Sequence, residues 1–159
     1  MTWKVGRYRI GYTQGTFDMF HIGHLNIIRN ARKQCERLIV GVNADALVQS
    51  YKHKTPVISE TERSEIVRNI KGVDECFIAT TLDKETILSE HPFDVIFIGD
   101  DWKGDPRWES TRVALAKRGV DVVFLPHTNG ISSTALTGVI KKILDDNPSE
   151  EMSIDDQAT

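Results

Sequence analysis

The feature that most constrains the fold is an alternation of short apolar runs, rich in β-branched residues, with longer stretches of helical spacing. One run, Leu38-Ile39-Val40-Gly41-Val42, is apolar on both faces, which is typical of a parallel strand covered by helices on each side. The runs lie at residues 9–12, 38–43, 75–79, 94–98 and 121–125. This alternation predicts an α/β fold, a Rossmann-like doubly wound parallel sheet with helices on both faces.

The domain organisation follows from length and from helix signals. A chain of 159 residues fits one domain, and no Gly/Ser-rich or Pro-rich linker divides it. Ser59 has capping-box spacing to Glu62, and Ser132 and its neighbours offer N-caps for a final helix, to about Leu144, which we expect to pack on the sheet. Residues 145–159 are acidic and lack an apolar period. We therefore predict a domain over residues 1–144 and a disordered acidic tail.

Charge and composition argue against several classes of partner. The net charge is −3, and without the six acidic residues of the tail it becomes +3. That balance suits small phosphorylated molecules but lacks the dense basic stripe of a nucleic-acid binder. No apolar run approaches the roughly 20 residues of a membrane helix. Two distant cysteines, Cys35 at a predicted helix end and Cys76 in a predicted strand, indicate reduced thiols. We expect a cytoplasmic protein that binds neither nucleic acid nor membranes.

A glycine and two histidines stand where the first strand gives way to the first helix, the edge at which open parallel sheets bind ligands. Gly15 permits close backbone approach, and His21 and His24 lie one turn apart beside helix-start amides that can face an anion. We expect the two imidazoles to flank one phosphate. Two alternatives are ordinary helix-start histidines and a metal pair, although the acidic helper of a His-Glu-x-x-His site is missing.

Two further loops are predicted at the same edge. The first, residues 99–102, follows the fourth strand, and its adjacent carboxylates are compatible with a metal site, a helix cap or a solvated turn. The second, residues 125–134, ends a strand and begins a helix, so that its hydroxyls and amides can hold phosphates. Simple helix capping is the alternative for this second loop.

In combination these segments resemble the motifs of the cytidylyltransferase-like nucleotidyltransferases. Residues 15–18 and 21–24 resemble the GTFD and HxGH motifs, and residues 99–102 resemble the GDDW motif of glycerol-3-phosphate cytidylyltransferases. Residues 130–134 retain the end of the RTEGIST motif, but His127 replaces its arginine and Asn129 its glutamate. Histidine is only partly charged near neutral pH and has fewer donors than arginine. We therefore expect the triphosphate grip to depend more on other cations.

The resemblance, which runs from about residue 9 to residue 144, assigns roles to individual residues. It implies that His21, His24 and Lys52 are catalytic, and that Lys52, Lys54 and Arg63 bind the acceptor or phosphate. Asp101 becomes a reader of the cytosine amino group, and Trp102 shapes the pocket. The implied nucleotide-binding residues are Gly15, Thr16, Phe17, Asp18, His24, Gly99, Asp101, Trp102, His127, Thr128, Ile131, Ser132, Ser133 and Thr134.

The implied reaction is transfer of CMP from CTP to a phosphorylated alcohol, glycerol 3-phosphate by the resemblance, giving CDP-glycerol and pyrophosphate. Mg²⁺ is implied as a cofactor held mainly by the triphosphate, without protein ligands. Residues 70–75 look like the RYVDE segment of the family, which implies a homodimer, and the family's products usually feed cell-surface polymers. The alternatives are another alditol phosphate, phosphoethanolamine or phosphocholine as acceptor, an adenylyltransferase, or a catalytically idle nucleotide-sensing module.

Overall fold

The computed structural model describes residues 7–146 and contains a five-stranded sheet whose neighbouring strands are all parallel. The strands are β1 (Tyr8–Gly15), β2 (Cys35–Asn43), β3 (Glu75–Ala79), β4 (Val95–Gly99) and β5 (Asp121–Leu125). The helices are α1 (Ile22–Arg32), α2 (Asp45–Lys52), α3 (Glu60–Arg68), α4 (Lys84–Glu90), α5 (Pro106–Ala116) and α6 (Ser133–Asp146), with one 3₁₀ turn at Asp100–Trp102. The predicted fold class is confirmed.

The strand order creates a natural binding crevice. The order is β3-β2-β1-β4-β5, so the chain moves outward from β1 to β3 and then returns to the other side of β1. Loops that leave β1 and β4 therefore diverge to opposite faces of the sheet. In doubly wound sheets a ligand lies at this reversal, beyond the carboxyl ends of the strands. The three predicted segments all follow strands at that edge.

Two hydrophobic clusters cover the two faces of the sheet. Alternate residues of β2 enter opposite clusters, with Leu38 on one face and Ile39 on the other. On the first face Ile28 of α1 is fully buried, and on the second Leu115 of α5 is fully buried. This double burial is the reason why the strand sequences are apolar on both faces. A sheet covered on both faces leaves only its loops and edges to bind ligands.

Two local predictions were wrong. Cys35 is not at a helix end but opens β2, where a Cβ added to Gly11 would lie only 2.8 Å from its Sγ. The final helix extends to Asp146, the last described residue, within two residues of the predicted end near Leu144. None of its residues is buried. Its apolar residues Val139 and Ile140 are exposed, so in the described chain it projects from the sheet instead of packing on it. A helical apolar period predicts a helix but not which surface covers it.

Some predictions concern residues beyond those described. Residues 147–159 lie outside them, so the proposed disorder of the acidic tail stays a prediction. Within the described residues no helix has the combined length and apolarity needed to cross a bilayer.

The predicted N-cap of α3 is confirmed, since Ser59 Oγ accepts the Glu62 N–H at 3.3 Å.

Candidate active site

The crevice at the strand ends is a cavity of about 490 Å³ that gathers nearly all the predicted site residues. The structure adds Gln14, Gly23 and Val57 to its lining, which the sequence analysis did not single out. The sequence-predicted residues that line the cavity are Gly15, Thr16, Phe17, Asp18, His21, His24, Lys52, Lys54, Gly99, Asp101, His127, Thr128, Ile131, Ser132, Ser133 and Thr134. Arg63 and Trp102 are absent from this lining.

The first turn of α1 is capped by the two histidines themselves. His21 is the N-cap, and its Nδ1 accepts the Gly23 N–H at 3.0 Å. His24 Nδ1 in turn accepts the His21 N–H at 3.2 Å, and the two rings stack at 3.8 Å. Because each Nδ1 is an acceptor, each neutral ring carries its proton on Nε2. The Nε2 of His21 is buried and has no hydrogen-bond partner among the described residues.

Burial keeps these imidazoles neutral. It lowers the pKa of His21, and it lowers the pKa of His24 to about 4, with repulsion from His21 adding to the effect and the Asp18 charge opposing it. Removal from water disfavours the imidazolium form of a histidine. Both rings are therefore uncharged Nε2–H donors near neutral pH. Such donors can meet charge that develops on a phosphoryl oxygen without first losing a proton.

The backbone around these rings leaves no space for ordinary side chains. A Cβ added to Gly23 would lie 2.8 Å from Cε1 of His21, so a side chain here would displace the imidazole.

Phe17 and Met19 have φ of 54° and 47°, in the left-handed region that large side chains rarely adopt. Such strain persists only where surrounding contacts impose it, and it occurs frequently at binding sites.

Asp18 anchors a second loop at the cavity. Its two carboxylate oxygens accept the N–H groups of Val57 at 2.8 Å and Ile58 at 2.9 Å. Its carbonyl oxygen accepts the hydroxyl of Ser133 at the start of α6. The side chain is thus occupied by protein backbone, and it holds the segment after Lys54 against the cavity.

The structure does not support Arg63 as a phosphate ligand. Its side chain is 1% exposed, and its guanidinium donates to the carbonyls of Thr16 and Asn43 at 2.7 Å and of Ile58 at 2.8 Å. It also forms a 2.6 Å ion pair with Asp45. Since α3 turns this side chain inward, its donors are used by the protein. Arg63 clamps three backbone segments at the edge of the cavity.

The loop after β4 is held differently. A Cβ added to Gly99 would lie 2.6 Å from Asp101 Oδ1, so glycine leaves room for that carboxylate at the cavity. Trp102 is 41% exposed, and the Arg107 guanidinium lies 5.6 Å from its ring centre. The structure therefore places Asp101 in the cavity and Trp102 outside it. The sequence pattern identified the loop but not the direction of each side chain.

His127 pairs with an acidic residue of that loop. Its Nδ1 lies 2.6 Å from Asp100 Oδ1, which joins the loop after β5 to the loop after β4. This hydrogen bond raises the pKa of His127 and lowers the pKa of Asp100. The carboxylate thereby favours the cationic form of the histidine that stands in place of the expected arginine.

Two lysines supply positive charge without ion pairs. Lys52 ends α2, and its Nζ lies 5.8 Å from the Tyr51 ring centre. Lys54 follows in the exposed loop, and both lysines line the cavity. Neither takes part in any of the ion pairs within residues 7–146. Their ammonium groups are therefore free to meet an anionic ligand.

The strand order, the crevice at β1 and β4 and the capped helix start define a nucleotide-binding α/β domain. Residues 12–138 match the family described as cytidylyltransferase-like, and the chain belongs to this family of nucleotidyltransferases. The match spans all three motif segments, and it confirms the resemblance deduced from them.

Named relatives carry different activities at similar identity. The chain is 33% identical over 138 residues to the bifunctional protein HldE of Rhodopseudomonas palustris, covering 84% of this chain but only 27% of that protein. It is 34% identical to the FAD synthase of Korarchaeum cryptofilum over 81% of this chain and 89% of the relative. It is 33% identical to the glycerol-3-phosphate cytidylyltransferase of Bacillus spizizenii over 78% and 91%. The relatives establish the family but do not select a substrate.

A solved structure has the same fold. The lipopolysaccharide core biosynthesis protein from Thermoplasma volcanium superimposes with a TM-score of 0.64 at 24% identity. The match covers 76% of this chain and 97% of that one. The agreement supports the single-domain Rossmann-like architecture.

Proposed function

We propose that this protein is a cytidylyltransferase that transfers CMP from CTP to a phosphorylated alcohol, specifically glycerol 3-phosphate, releasing CDP-glycerol and pyrophosphate. The observation that carries the proposal is the pair of neutral imidazoles at the start of α1, in a cavity that also holds two unpaired lysines. This arrangement suits phosphoryl oxygens on which charge increases during a reaction.

In the proposed reaction a phosphate oxygen of the acceptor attacks the α-phosphorus of CTP in line. A bond forms between these two atoms, and the bond from the α-phosphorus to the bridging oxygen breaks, with its electron pair leaving on pyrophosphate. His21 and His24 donate from Nε2 to the phosphoryl oxygens, and Lys52 neutralises charge. Catalysis is then positioning and charge stabilisation, without a nucleophilic side chain.

We assign different parts of CTP to the two ends of the cavity. Amides and hydroxyls at the start of α6, including those of Ser132 and Thr134, are suited to the outer phosphates. The Asp101 carboxylate, at the other loop, is an acceptor suited to an exocyclic amino group. Cytosine has such a group, but so does adenine. The preference for CTP therefore rests on the motif at residues 99–102 and on the Bacillus relative.

The lining also favours a polyol phosphate over phosphocholine. Quaternary ammonium groups are bound by cages of Trp, Tyr or Phe. Among the described lining residues there is no Trp or Tyr, and the single Phe, Phe17, is 6% exposed. The segment beside Lys52 instead offers Thr55 and the cation Lys54. These groups suit a hydroxylated molecule with a phosphate.

We further propose that Mg²⁺ enters with the triphosphate. Of the two carboxylates in the described lining, Asp18 already accepts two backbone N–H groups. Residues 7–146 contain no group of three or more acidic, His or Cys side chains arranged to hold a metal. The donor set fits an ion bound by phosphate oxygens and water, a mode that Mg²⁺ commonly adopts. Bound there, Mg²⁺ would neutralise charge on the leaving pyrophosphate.

The test is a pyrophosphate-release screen that crosses CTP and ATP with phosphorylated alcohols, including glycerol 3-phosphate, other alditol phosphates, phosphoethanolamine and phosphocholine. We expect CTP with glycerol 3-phosphate to be fastest. Faster release from ATP would instead establish adenylyl transfer, which the FAD synthase relative keeps as a second candidate. Nucleotide binding without release from any pair would indicate a sensing module. Sedimentation of the purified protein tests the proposed homodimer.

A further inference from the structure

A lysine is buried behind the cavity without an ion pair. Lys84, the first residue of α4, is 8% exposed. Its Nζ donates to Gln14 Oε1 and to the Leu82 carbonyl, both at 3.0 Å, and lies 5.6 Å from the Trp108 ring centre. None of the ion pairs within the described residues includes it. Burial lowers its pKa to about 8, against the opposing effect of Asp83.

This lysine fixes the orientation of the Gln14 side-chain amide. An ammonium group only donates, so the atom that faces it must be the amide oxygen. Gln14 Oε1 also accepts the Tyr12 hydroxyl at 2.7 Å. The amide nitrogen is therefore turned the other way, where it donates to Asn43 Oδ1 at 2.8 Å and to the Thr81 carbonyl at 3.0 Å. Every polar atom of the Gln14 side chain has a partner.

The amide orientation that Lys84 imposes on Gln14 also fixes the orientation of Asn43, which reaches the cavity. Asn43 is 4% exposed, and because its Oδ1 faces Gln14, its Nδ2 faces outward. Nδ2 donates to the Tyr51 hydroxyl at 3.1 Å and to Thr16 Oγ1 at 3.5 Å. Tyr51 directly precedes Lys52, and Thr16 lines the cavity. The series of hydrogen bonds thus ends next to the lysine that we assign to catalysis.

We propose that Lys84 is a positioning residue for nucleotidyl transfer: its ammonium group orients Gln14 and Asn43, which hold Tyr51 and Thr16 beside Lys52. This inference rests on the proposed function. A buried charge without an ion pair destabilises a fold, and replacing it with an apolar residue of similar volume is frequently neutral or stabilising. The presence of such a lysine is consistent with a site in which lower fold stability accompanies activity.

The principal variant is Lys84→Met, whose apolar side chain is one heavy atom shorter and removes the ammonium group, including its cation–π contact with Trp108. The matched control is Lys117→Met, at an exposed position after α5. We expect Lys84→Met to unfold at the same temperature or higher and to lose about tenfold or more in kcat, because small misplacements at a reacting centre have effects of this size. The KM for CTP should change less than about threefold. A normal kcat overturns the proposal, as does a fall in kcat only in proportion to lost folded protein.

Tyr51→Phe provides a second route, because it removes the hydroxyl at the far end on a residue that is 37% exposed. If both residues act through one series of hydrogen bonds, the double variant will be no slower than Lys84→Met alone. Losses that multiply would show independent roles and overturn the proposal. Should Lys84→Met fail to fold, a normal kcat in Tyr51→Phe overturns it equally, and a reduced kcat supports it.

A spectroscopic test separates this inference from the proposed function. The side-chain NH₂ resonances of Asn43 should shift in Lys84→Met and not in Lys117→Met, whether or not the enzyme turns over. In Tyr51→Phe the Gln14 NH₂ resonances should shift for the same reason. Unchanged Asn43 resonances overturn the inference. Shifted resonances in a protein that releases no pyrophosphate would support the connection from Lys84 to Asn43 and contradict cytidylyl transfer.

Discussion

The two ends of the cavity are built in different ways. At the phosphate end, the histidines cap their own helix, and Arg63 fixes three backbone carbonyls while 1% exposed. At the loop end, where the loops after β4 and β5 meet, Asp100 and His127 form one exposed hydrogen bond. Charge stabilisation requires groups that are in place before the reaction. Loop side chains in water can change at little cost to the fold. Under the proposed function, we expect the chemical step at the phosphate end and base selection by Asp101 at the loop end.

Removing an imidazole should have the largest effect. We expect His24→Ala to remain folded and to lose about a hundredfold to a thousandfold in kcat, the usual effect of deleting a donor to a developing oxyanion. His24→Gln is the control, because Gln at the third helical position can still receive the capping N–H. It should be equally slow, as measured by pyrophosphate release. A fast His24→Gln enzyme would reduce the role of the ring to helix capping.

Removing the clamp should chiefly affect stability. Arg63→Met leaves the carbonyls of Thr16, Asn43 and Ile58 without their donor, and we expect the free energy of unfolding to fall by about 3 kcal/mol. Arg68→Met, on the same helix, is the control, because its pair with Glu65 is exposed and should contribute almost nothing. Urea denaturation measures both. Equal stability of the two variants would contradict a rigid phosphate end.

A smaller disturbance of the same end is Gly23→Ala. The added methyl group displaces the His21 ring, whose Cε1 would lie 2.8 Å away. Alanine is otherwise favoured in a helix, so we expect unchanged or higher thermal stability with about tenfold lower kcat. Thermal unfolding and turnover, measured on one preparation, check both parts. Unchanged turnover would mean that the position of His21 is not critical.

The loop end should respond most weakly, through the pH dependence of the KM for CTP. The Asp100 hydrogen bond raises the pKa of His127, and the protonated ring is the form expected to hold phosphate. The KM for CTP should therefore be low below the pKa of His127 and rise as pH increases through it. In Asp100→Asn this rise should begin at lower pH. Asp105→Asn, which alters a nearby half-buried carboxylate that caps α5 outside the cavity, is the control. Identical pH profiles for the wild type and both variants would contradict the proposal.

The sequence was most informative where local pattern decides structure. The bounds of β3 and β5 were predicted without error, because each run begins at an acidic residue and ends before a polar residue or a proline. The histidines and the loops after β4 and β5 were also identified, because their motifs are contiguous. In contrast, the inward turn of Arg63 and the outward position of Trp102 depend on how helices and loops pack. Nothing in the local sequence shows those directions.

The same sequence reasoning could not predict long-range polar contacts. Lys84 stands after Asp83, a conventional helix N-cap, and resembles any solvated lysine at a helix start. Its partner Gln14 is 70 residues away, and the next connection, from Gln14 to Asn43, spans 29. Only the strand order β2-β1-β4 brings these groups together behind the cavity. No periodicity in a single sequence would predict such a contact.

The capping role of His24 has a consequence in acid. A histidine in an unfolded chain takes up a proton near pH 6.5, whereas burial delays this step in the folded protein to a pKa of about 4. Between these values the unfolded chain binds more protons, so this contribution to stability is complete above about pH 6.5 and is lost as pH falls toward 4. The protonated ring can no longer accept the His21 N–H. Acid should therefore disrupt the start of α1 and abolish the proposed activity over the same pH range. Comparing the unfolding of the wild type and of His24→Gln across this pH range would test this.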